Sequence, residues 1–424
     1  MPIMHMRGLL TTAVVLGGIG AAATTPRAAR SVDRRPVVRA PADTFPTFDR
    51  VLHLEPTAET SANVSIGDVN GDGRLDIVLA KGRHWPLVDR VLLGDGAGHF
   101  SAGNDLGKAS DRSYSARPTD MDRDGDLDVV LSNDAPDPKL VYLNDGTGLF
   151  RVGSTFGRPE WETRNATVAD VNGDGLPDII VANRSGDKGA NYICLNKGGA
   201  HFDADCLAFS RESATTITAA DFNRDGVIDL AVPHRDGGQS RVYLGASKGS
   251  YSADRTIPFG PPNASIRMSE AADLDGDGLL DIVAIDERQG TAAYFGQRAG
   301  GFSSGVPVGD RTIAPYALAV ADVNGDHTPD IVVGNVEAPS TLHFNDGSGR
   351  QFHTIRFGDG KGTVYGFASQ VYGLCDRIEA ELGECTVVST GGLAELIAPF
   401  SRRIEYQEPW LTLHGLRLIY EKNV

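Results

Sequence analysis

The nine residues Asp68-Val-Asn-Gly-Asp-Gly-Arg-Leu-Asp76 are the key to the architecture of this 424-residue chain, because the chain contains six versions of them. Every version has Asp at positions 1, 5 and 9 and Asn or Asp at position 3. Similar units at a period of about 50 residues are typical of a repeat architecture. The first aspartates of the other five copies are Asp120, Asp170, Asp221, Asp273 and Asp322.

The composition of the loop predicts a calcium site. Oxygen ligands at alternate positions of a tight turn can converge on one hard cation, as in the first half of an EF-hand loop. Gly at position 6 permits the sharp bend in five copies, and His327 replaces it in the sixth. The predicted ligands are the side chains at positions 1, 3, 5 and 9 and the backbone carbonyl at position 7: Asp68, Asn70, Asp72, Arg74 and Asp76; Asp120, Asp122, Asp124, Asp126 and Asp128; Asp170, Asn172, Asp174, Leu176 and Asp178; Asp221, Asn223, Asp225, Val227 and Asp229; Asp273, Asp275, Asp277, Leu279 and Asp281; Asp322, Asn324, Asp326, Thr328 and Asp330.

Electrostatic repulsion within each loop supports a bound cation. Two carboxylates 4 Å apart repel by roughly 1 to 4 kcal/mol, depending on the effective dielectric. Packing three or four of them into nine residues is therefore unfavourable without a counter-ion. Six bound dications would change the formal charge of −16 to about −4. The alternative is a set of solvated turns, because Asp, Asn and Gly favour turns in any case.

The residues around the loop predict strands, not the flanking helices of an EF-hand. Position 9 is followed by short apolar, β-branched runs such as 77–80 and 179–182. A second apolar run such as 140–143 comes later and leads into an Asp-Gly hairpin turn at 144–150. Each unit therefore offers about four short strands, which is the size of one propeller blade. The sequence predicts an all-β propeller.

These loops, together with the Asp-Gly-x-Gly-x-Phe turn, resemble the FG-GAP or VCBS repeats of calcium-binding β-propellers such as integrin α heads, over residues 45–362. The resemblance implies a seven-bladed type of propeller with calcium in each loop on one face. It also implies a role outside the cytoplasm in binding proteins or glycans. We expect six intact blades and an incomplete seventh, with residues 45–56 as an outer strand completing the last blade and covering its edge.

The N-terminal residues indicate export. Residues 1–23 have the charge, the apolar small-residue run and the Ala-x-Ala site of a secretory signal peptide, and 24–44 read as a disordered linker. No other stretch could span a bilayer. We expect a secreted, periplasmic or cell-surface monomer. Cys194 and Cys206 flank one hairpin, so a disulfide is expected in an oxidising compartment, the alternative being two small buried residues.

The last 62 residues, 363–424, break the repeat pattern and predict an αβα tail. Apolar residues recur there at helical spacing, and a strand at 386–389 leads into the turn Thr390-Gly391-Gly392. This segment resembles the C-terminus of type III pantothenate kinase, in which such a turn approaches the adenosine of ATP. The resemblance therefore implies at most a vestigial nucleotide contact at Thr390, Gly391 and Gly392. The phosphate-binding, catalytic and pantothenate-binding motifs of that family have no counterpart here, so kinase activity is a remote alternative.

The face opposite the aspartate loops is the predicted ligand surface, because its connections are basic or aromatic in an otherwise acidic chain. Such residues suit an acidic glycan or an acidic protein surface, whereas the net charge of −16 disfavours nucleic acid. The alternative is a scatter of solvated arginines. The predicted residues are Arg83, His84, Trp85, Arg117, Arg164, Arg184, His234, Arg235, Arg267 and Arg288.

A catalytic function is the second class that the sequence leaves open. Propellers can host a polysaccharide lyase or a glycosidase, in which carboxylates or a His and Arg pair perform acid–base chemistry. Glu160, Glu162, His84 and His234 are available for such work, but no spacing marks a catalytic pair. A binding module is the favoured interpretation, and no catalytic residue is assigned.

Overall fold

The computed structural model describes residues 52, 54, 55, 59–184, 189–203, 205–246 and 248–358, together with two short strands in the C-terminal segment. The described part of the chain contains strands and turns and no helix. Its main body consists of six four-stranded antiparallel sheets, each formed by four consecutive strands. These sheets are the blades of a β-propeller, which confirms the predicted fold class and the six blades.

Within each blade the strands follow one another from the inner strand to the outer strand. The first three blades comprise β1 (Ser61–Gly67), β2 (Asp76–Lys81), β3 (Arg90–Gly94) and β4 (Phe100–Asp105); β5 (Ser113–Thr119), β6 (Asp128–Asn133), β7 (Lys139–Asn144) and β8 (Phe150–Phe156); β9 (Thr163–Ala169), β10 (Asp178–Asn183), β11 (Asn191–Cys194) and β12 (Leu207–Ser210). The last three comprise β13 (Thr218–Ala220), β14 (Asp229–Val232), β15 (Gly238–Tyr243) and β16 (Thr256–Ala264); β17 (Ile266–Ala272), β18 (Asp281–Asp286), β19 (Gly290–Tyr294) and β20 (Val306–Val308); β21 (Pro315–Ala321), β22 (Asp330–Asn335), β23 (Ser340–Asn345) and β24 (Phe352–Phe357).

The hydrophobic core lies between successive blades, because the second strand of a blade is buried on both faces. In β6, Val129 and Leu131 pack against the first blade, whereas Val130 packs against the third. In β10 the alternation repeats, with Ile179 facing the second blade and Ile180 the fourth. Alternate side chains of a strand point to opposite faces, so a continuous apolar run serves two interfaces at once. In the outer strand β8, by contrast, Phe156 is the one buried residue of seven.

Side-chain amides connect neighbouring blades at the ends of the third strands. Asn144 donates from Nδ2 to the carbonyl of Val69 in the preceding blade, at 2.7 Å. Asn196 and Asn345 make the equivalent bonds to blades two and five, at 2.9 and 2.8 Å. Buried backbone carbonyls require such partners, and these amides supply them.

The predicted cysteine pair lies in the third blade. Cys194 ends β11, and Cys206 immediately precedes β12. Their sulfur atoms are 1.97 Å apart and their Cα atoms 4.5 Å apart, so the two adjacent strands are covalently joined.

Several sequence-based expectations fall outside the described residues. They are the signal peptide at 1–23, the linker at 24–44, most of the predicted outer strand at 45–56, the seventh blade position, and the turn at Thr390, Gly391 and Gly392. In the C-terminal segment, β25 (Val387–Ser389) pairs in parallel with β26 (Ile404–Gln407). Over the described ranges, no helix has the length and apolar character needed to cross a membrane.

Candidate metal-binding loops and the opposite face of the propeller

The six aspartate loops join the first and second strands of each blade, and all six share one hydrogen-bond pattern. The carboxylate at position 1 accepts the N–H of position 6, for example Gly175 N to Asp170 Oδ2 at 2.8 Å. The carboxylate at position 5 accepts the N–H of position 7, as in Leu176 N to Asp174 Oδ1 at 2.8 Å. The backbone thus folds around the carboxylates and orients them.

The aspartate at position 9 fastens three strands of its blade together. In the second blade, Asp128 Oδ2 accepts the N–H of Met121, at the end of β5, at 2.9 Å, and its Oδ1 accepts the N–H of Asn144, at the end of β7, also at 2.9 Å. The other five blades repeat this arrangement. The predicted metal ligand at this position therefore also has a structural role.

Burial changes the ionisation of these position-9 aspartates. The carboxyl groups are at most 1% exposed. Burial is the main cause and raises their pKa, while the two backbone N–H donors oppose the rise. The pKa reaches about 6 for Asp128, Asp178, Asp229, Asp281 and Asp330, and that of Asp76 is also raised. A nearby cation would stabilise the ionised form of each group.

Two loops bring three carboxylates together closely enough to hold a cation. Oxygen atoms of Asp120, Asp122 and Asp124 lie within 4.8 Å of one another, and so do those of Asp273, Asp275 and Asp281. In these same loops, the buried Oδ1 atoms of Asp120 and Asp275 have no hydrogen-bond partner among the described residues. Unpartnered oxygens among converging carboxylates fit a hard divalent cation such as calcium.

The other four loops have Asn at position 3 and differ in one contact. The amide of that Asn donates to the carboxylate at position 5, as from Asn172 Nδ2 to Asp174 Oδ2 at 2.9 Å. An amide group therefore satisfies an oxygen that would face a cation in the two loops with Asp at position 3. The residues of all six loops offer oxygen ligands, but the second and fifth have the densest negative charge.

Loop five also contacts a cationic side chain that the sequence did not indicate. Arg350, in the hairpin of the sixth blade, places Nη1 3.0 Å from Asp275 Oδ2. Its guanidinium also lies over the ring of Phe295, 3.9 Å from the centroid. The contact joins residues 75 positions apart, so only the three-dimensional fold shows it.

His327 keeps the geometry of the glycine that it replaces. Its φ of 72° falls in the left-handed region, close to the 80° of Gly73 and the 84° of Gly278 at the same position. Its N–H donates to Asp322 Oδ2 at 2.9 Å, as position 6 does in the other loops. The substitution therefore changes the energy of the loop rather than its shape.

The face opposite the aspartate loops lies at the start of each inner strand. Side chains at the same position of different repeats contact one another there. Arg164 and Arg267 lie six residues before the first loop aspartate, and so do Tyr114 and Tyr316. The guanidinium of Arg267 is 3.6 Å from the Tyr316 ring centroid, and that of Arg164 is 4.4 Å from the Tyr114 centroid. Arg83 lies 5.6 Å from the Tyr114 centroid and 5.7 Å from that of Tyr316. These five residues form a continuous Arg–Tyr array.

Carboxylates accompany four of the nine predicted basic residues, namely Arg164, Arg184, Arg235 and Arg267. Arg164 Nη1 lies 2.6 Å from Asp134 Oδ1. Arg235 and Arg267 both bind Glu287 Oε1, at 2.6 and 2.8 Å. These acidic partners follow the second strand in each repeat, and that shared position was the signal available in the sequence.

Other predicted residues occupy the edges of this face. Tyr114 Oη is 3.2 Å from the ring nitrogens of His84, and burial, followed by the charge of Arg83, lowers the pKa of that imidazole. Trp85 beside it is 45% exposed, which leaves an aromatic surface open to solvent. Arg184 lies 3.2 Å from Asp236 of the next blade.

Two predicted arginines lie away from the array. Arg288 is in the turn between β18 and β19, and its side chain forms no ion pair in the described structure. Arg117 lies within β5, three residues beyond Tyr114 towards the loop. Although the predicted surface was assigned to connections, Arg117, Arg164 and Arg267 lie inside the inner strands β5, β9 and β17.

A cavity of about 450 Å³ opens beside the third and fourth blades. Phe209, Glu212, His234 and Tyr243 line it. Tyr243 donates its hydroxyl to Glu212 at 2.8 Å, and burial together with Glu212 raises the pKa of Tyr243. His234 Nδ1 is buried without a hydrogen-bond partner in the described part of the chain.

Of the residues considered for catalysis, only His234 lines this cavity. Glu160 and Glu162 are exposed, with Glu162 Oε2 3.8 Å from Arg164 Nη2. His84 instead belongs to the edge of the Arg–Tyr array. The structure does not bring the four residues together.

Comparison with known proteins gives two separate similarities. A family described as FG-GAP-like repeat matches residues 68–131, 120–181, 170–232, 221–284 and 273–333. A short C-terminal stretch is similar to type III pantothenate kinases. The chain is 59% identical to the Roseiflexus sp. (strain RS-1) kinase over 63 residues, and 52% identical to the Exiguobacterium sp. enzyme over 62 residues. These stretches are 15% of this chain and 25% and 24% of the kinases, so the chain spans about a quarter of the length of these curated relatives.

Similar solved structures include propellers with different activities. A lectin of Agrocybe aegerita that recognises non-reducing terminal N-acetylglucosamine is 21% identical, with a TM-score of 0.47, 70% of this chain covered and 80% of the lectin chain covered. A rhamnogalacturonan lyase of Bacillus licheniformis is 14% identical, with a TM-score of 0.41 and coverages of 70% and 64%. A periplasmic gluconolactonase of Pseudomonas aeruginosa is 12% identical, with a TM-score of 0.46 and coverages of 66% and 81%.

Proposed function

The chain belongs to the family of FG-GAP-like repeat proteins, and from this premise we propose that it is an exported, calcium-binding recognition module. Calcium in the aspartate loops would hold one face of the propeller. The opposite face would bind an extracellular protein or an acidic glycan. The observation that carries the recognition role is the Arg–Tyr array, which joins five of the six blades at one end of the inner strands.

The charge of the array supports an anionic ligand. The array and its neighbour Arg235 contribute four arginines, against three carboxylates, so the local charge is positive. The arginines are Arg83, Arg164, Arg235 and Arg267, and the carboxylates are those of Asp134, Glu162 and Glu287. Guanidinium planes held against tyrosine rings are already ordered, so little side-chain entropy is lost when they bind. Planar groups of this kind can form bidentate bonds to carboxylate or sulfate. An acidic sugar or an acidic protein loop meets these requirements.

Export is supported by the chemistry of the described blades. The bond between Cys194 and Cys206 persists in oxidising compartments, and loops of oxygen ligands suit the millimolar calcium found outside cells. Both features agree with the predicted signal peptide. A direct test is to express the full chain in a secretion-competent host and to ask whether it leaves the cytoplasm with residues 1–23 removed.

Binding can be tested on a glycan and protein array in the presence of calcium and then of EGTA. We expect saturable binding to acidic ligands that weakens about tenfold in Tyr114→Ala and in Tyr316→Ala, because each change removes a stacked aromatic face. Arg158→Gln is the matched control, since Arg158 is an exposed arginine paired with Asp205 outside the array. Unchanged binding in both tyrosine variants would remove the array from the recognition site.

The second candidate is a polysaccharide lyase or glycosidase, and the cavity beside blades three and four is the observation that favours it. It combines a carboxylate, a tyrosine hydroxyl and an imidazole with an aromatic wall, which are groups used in acid–base cleavage of glycans. Incubation of acidic polysaccharides with the protein would reveal shortened products. Loss of those products in Glu212→Gln would support catalysis, whereas binding without turnover would support the recognition module.

Kinase activity is a more distant alternative, because the similarity covers about a quarter of the kinase relatives. ATP-dependent phosphorylation of pantothenate by the purified chain is the corresponding assay. Its absence would leave the recognition module unaffected.

A further inference from the structure

One ring of side chains inside the propeller is interrupted by two charged residues. The ring consists of the residues three positions before the first loop aspartate of each repeat. In the first and fourth blades these residues are Ser65 and Thr218, whose hydroxyls donate to carbonyls of the next inner strand, each at 2.6 Å. Thr167 makes the same type of bond to Ile217. The second and fifth blades instead carry Arg117 and Glu270 at this position, and the blades bearing them stand three places apart in chain order.

Neither charged side chain has a partner that satisfies it. Within the described residues, Arg117 and Glu270 form no hydrogen bond and no ion pair, and Arg117 Nε is buried. The two groups interact electrostatically with each other without making contact. Because inner strands surround the axis of a propeller, side chains on blades two and five that sense each other must project into the central channel.

The pKa of Glu270 reflects the unfavourable burial of its charged form. Burial raises the pKa of Glu270 to about 7, and the charge of Arg117 only partly opposes the rise. Burial likewise lowers the pKa of Arg117. Charges held apart in a partly desolvated channel are unfavourable unless a third group bridges them.

Unpartnered polar atoms of the intervening blades extend the same lining. Asn165 Oδ1 on β9 and Thr216 Oγ1 just before β13 are buried, and neither has a hydrogen-bond partner among the residues described. Both lie five residues before the first loop aspartate of their repeats, whereas Arg117 and Glu270 lie three residues before theirs. Residues two positions apart in a strand point to the same face. The channel therefore offers guanidinium donors on blade two, a carboxylate on blade five, and an amide and a hydroxyl oxygen on blades three and four.

We propose that the central channel binds a small zwitterion, with its carboxylate on Arg117 and its ammonium group on Glu270 and Asn165. A free α-amino acid has this chemistry. Guanidinium and carboxylate groups bind ions of opposite charge through charge-assisted hydrogen bonds, and here one ligand would satisfy both. This site differs from the Arg–Tyr array, so the proposal does not depend on the proposed recognition function.

Calorimetric titration of the full chain with glycine tests the proposal, with glycolate and methylamine as probes that each retain one charge. We expect saturable glycine binding, and binding of either single-charge probe weaker by about tenfold or more, which corresponds to one lost charged hydrogen bond. Arg117→Gln and Glu270→Gln should each reduce glycine affinity by a similar factor. Thr218→Val, at the same repeat position, is the control for a purely structural change.

A charge-swapped variant distinguishes recognition from folding. Arg117→Glu combined with Glu270→Arg keeps both charges in the channel and should recover glycine binding relative to either single reversal, with the ligand reversed. Thermal unfolding of every variant establishes that the propeller is intact. The proposal is overturned if glycine fails to bind the native chain, or if it binds no better than glycolate and methylamine.

Discussion

Position 6 of the aspartate loops shows how one residue can satisfy a geometry at an energetic cost. Glycine adopts a positive φ without strain, and five of the six loops use it. His327 adopts a φ of 72° and keeps the hydrogen bond to Asp322. The sequence showed this departure but could not show that the turn survives it, because surrounding hydrogen bonds decide whether the strained conformation is retained.

We predict that His327→Gly stabilises the protein. Removing a side chain from the left-handed region relieves about 1 kcal/mol, although the gain is reduced by the greater freedom of glycine in the unfolded chain. The free energy of unfolding in urea measures the change. Gly278→Ala, at the same position of the fifth loop with φ 84°, should act in the opposite direction. A destabilised His327→Gly would contradict the assigned strain.

The contact between Arg350 and loop five could not be predicted from the repeat pattern. The Arg350 guanidinium contacts Asp275 at 3.0 Å and would therefore compete with a cation bound in loop five. We predict that Arg350→Gln raises the calcium affinity of this loop, since a neutral amide no longer neutralises the carboxylate. Calcium titrations followed by calorimetry would show the tighter site, with Arg298→Gln as an exposed arginine control. An unchanged or weakened site would show that Arg350 does not compete.

At the scale of elements, the strand order of a blade could be read from the sequence because its signals are local. Asp-Gly turns, β-branched runs and the nine-residue loop each specify the path of a few residues. The lateral contacts could not be read in this way. Asn144 binds the carbonyl of Val69 across 75 residues, and the array of Arg83 and Tyr316 spans still more of the chain.

We predict that Asn144→Ala destabilises the propeller by about 2 to 3 kcal/mol, because the buried carbonyl of Val69 and the partly buried carbonyl of Leu127 lose their donor. The free energy of unfolding in urea gives the magnitude. Asn263→Ala, an exposed asparagine in the long strand β16, is expected to change stability by less than about 0.5 kcal/mol. Equal effects of the two substitutions would argue against the amide as an inter-blade connection.

Because of the position-9 aspartates, we predict that the stability of the metal-free protein and the stabilisation by calcium respond to pH in opposite directions. The pKa values of five of these aspartates rise from 3.8 to about 6 on folding, and the pKa of Asp76 is also raised, so the folded state binds more protons between these values. Their contribution to stability is therefore present below about pH 4 and is lost as the pH rises through about 6. Calcium requires the ionised carboxylates, so its stabilising effect should be larger at about pH 7 than at about pH 5.

Melting temperatures of protein stripped of divalent ions, measured with and without added calcium at both pH values, test this linkage. Magnesium serves as the comparison cation, since it prefers a smaller and more rigid shell of ligands. A calcium increment that is the same at both pH values would contradict a role for ionised position-9 carboxylates.

At the scale of the whole molecule, repetition is what made the fold predictable. Six equivalent units with one loop, one hairpin and the same apolar runs can bury their faces only against one another, and the six blades do so. The face opposite the aspartate loops was harder to predict, because its charge depends on partners such as Asp134 and Glu287. Aligning the repeats by position would have found Tyr114 and Tyr316 beside the arginines, since all lie at one point of the repeat.

Thermal unfolding in calcium and in EGTA near neutral pH shows whether the clustered aspartates hold cations that stabilise the ring of blades. Calcium at about 100 times its dissociation constant stabilises by about 2.7 kcal/mol per site. The melting temperature should therefore rise by at least about 5 °C in calcium. Superimposable unfolding curves in calcium and in EGTA would contradict the claim.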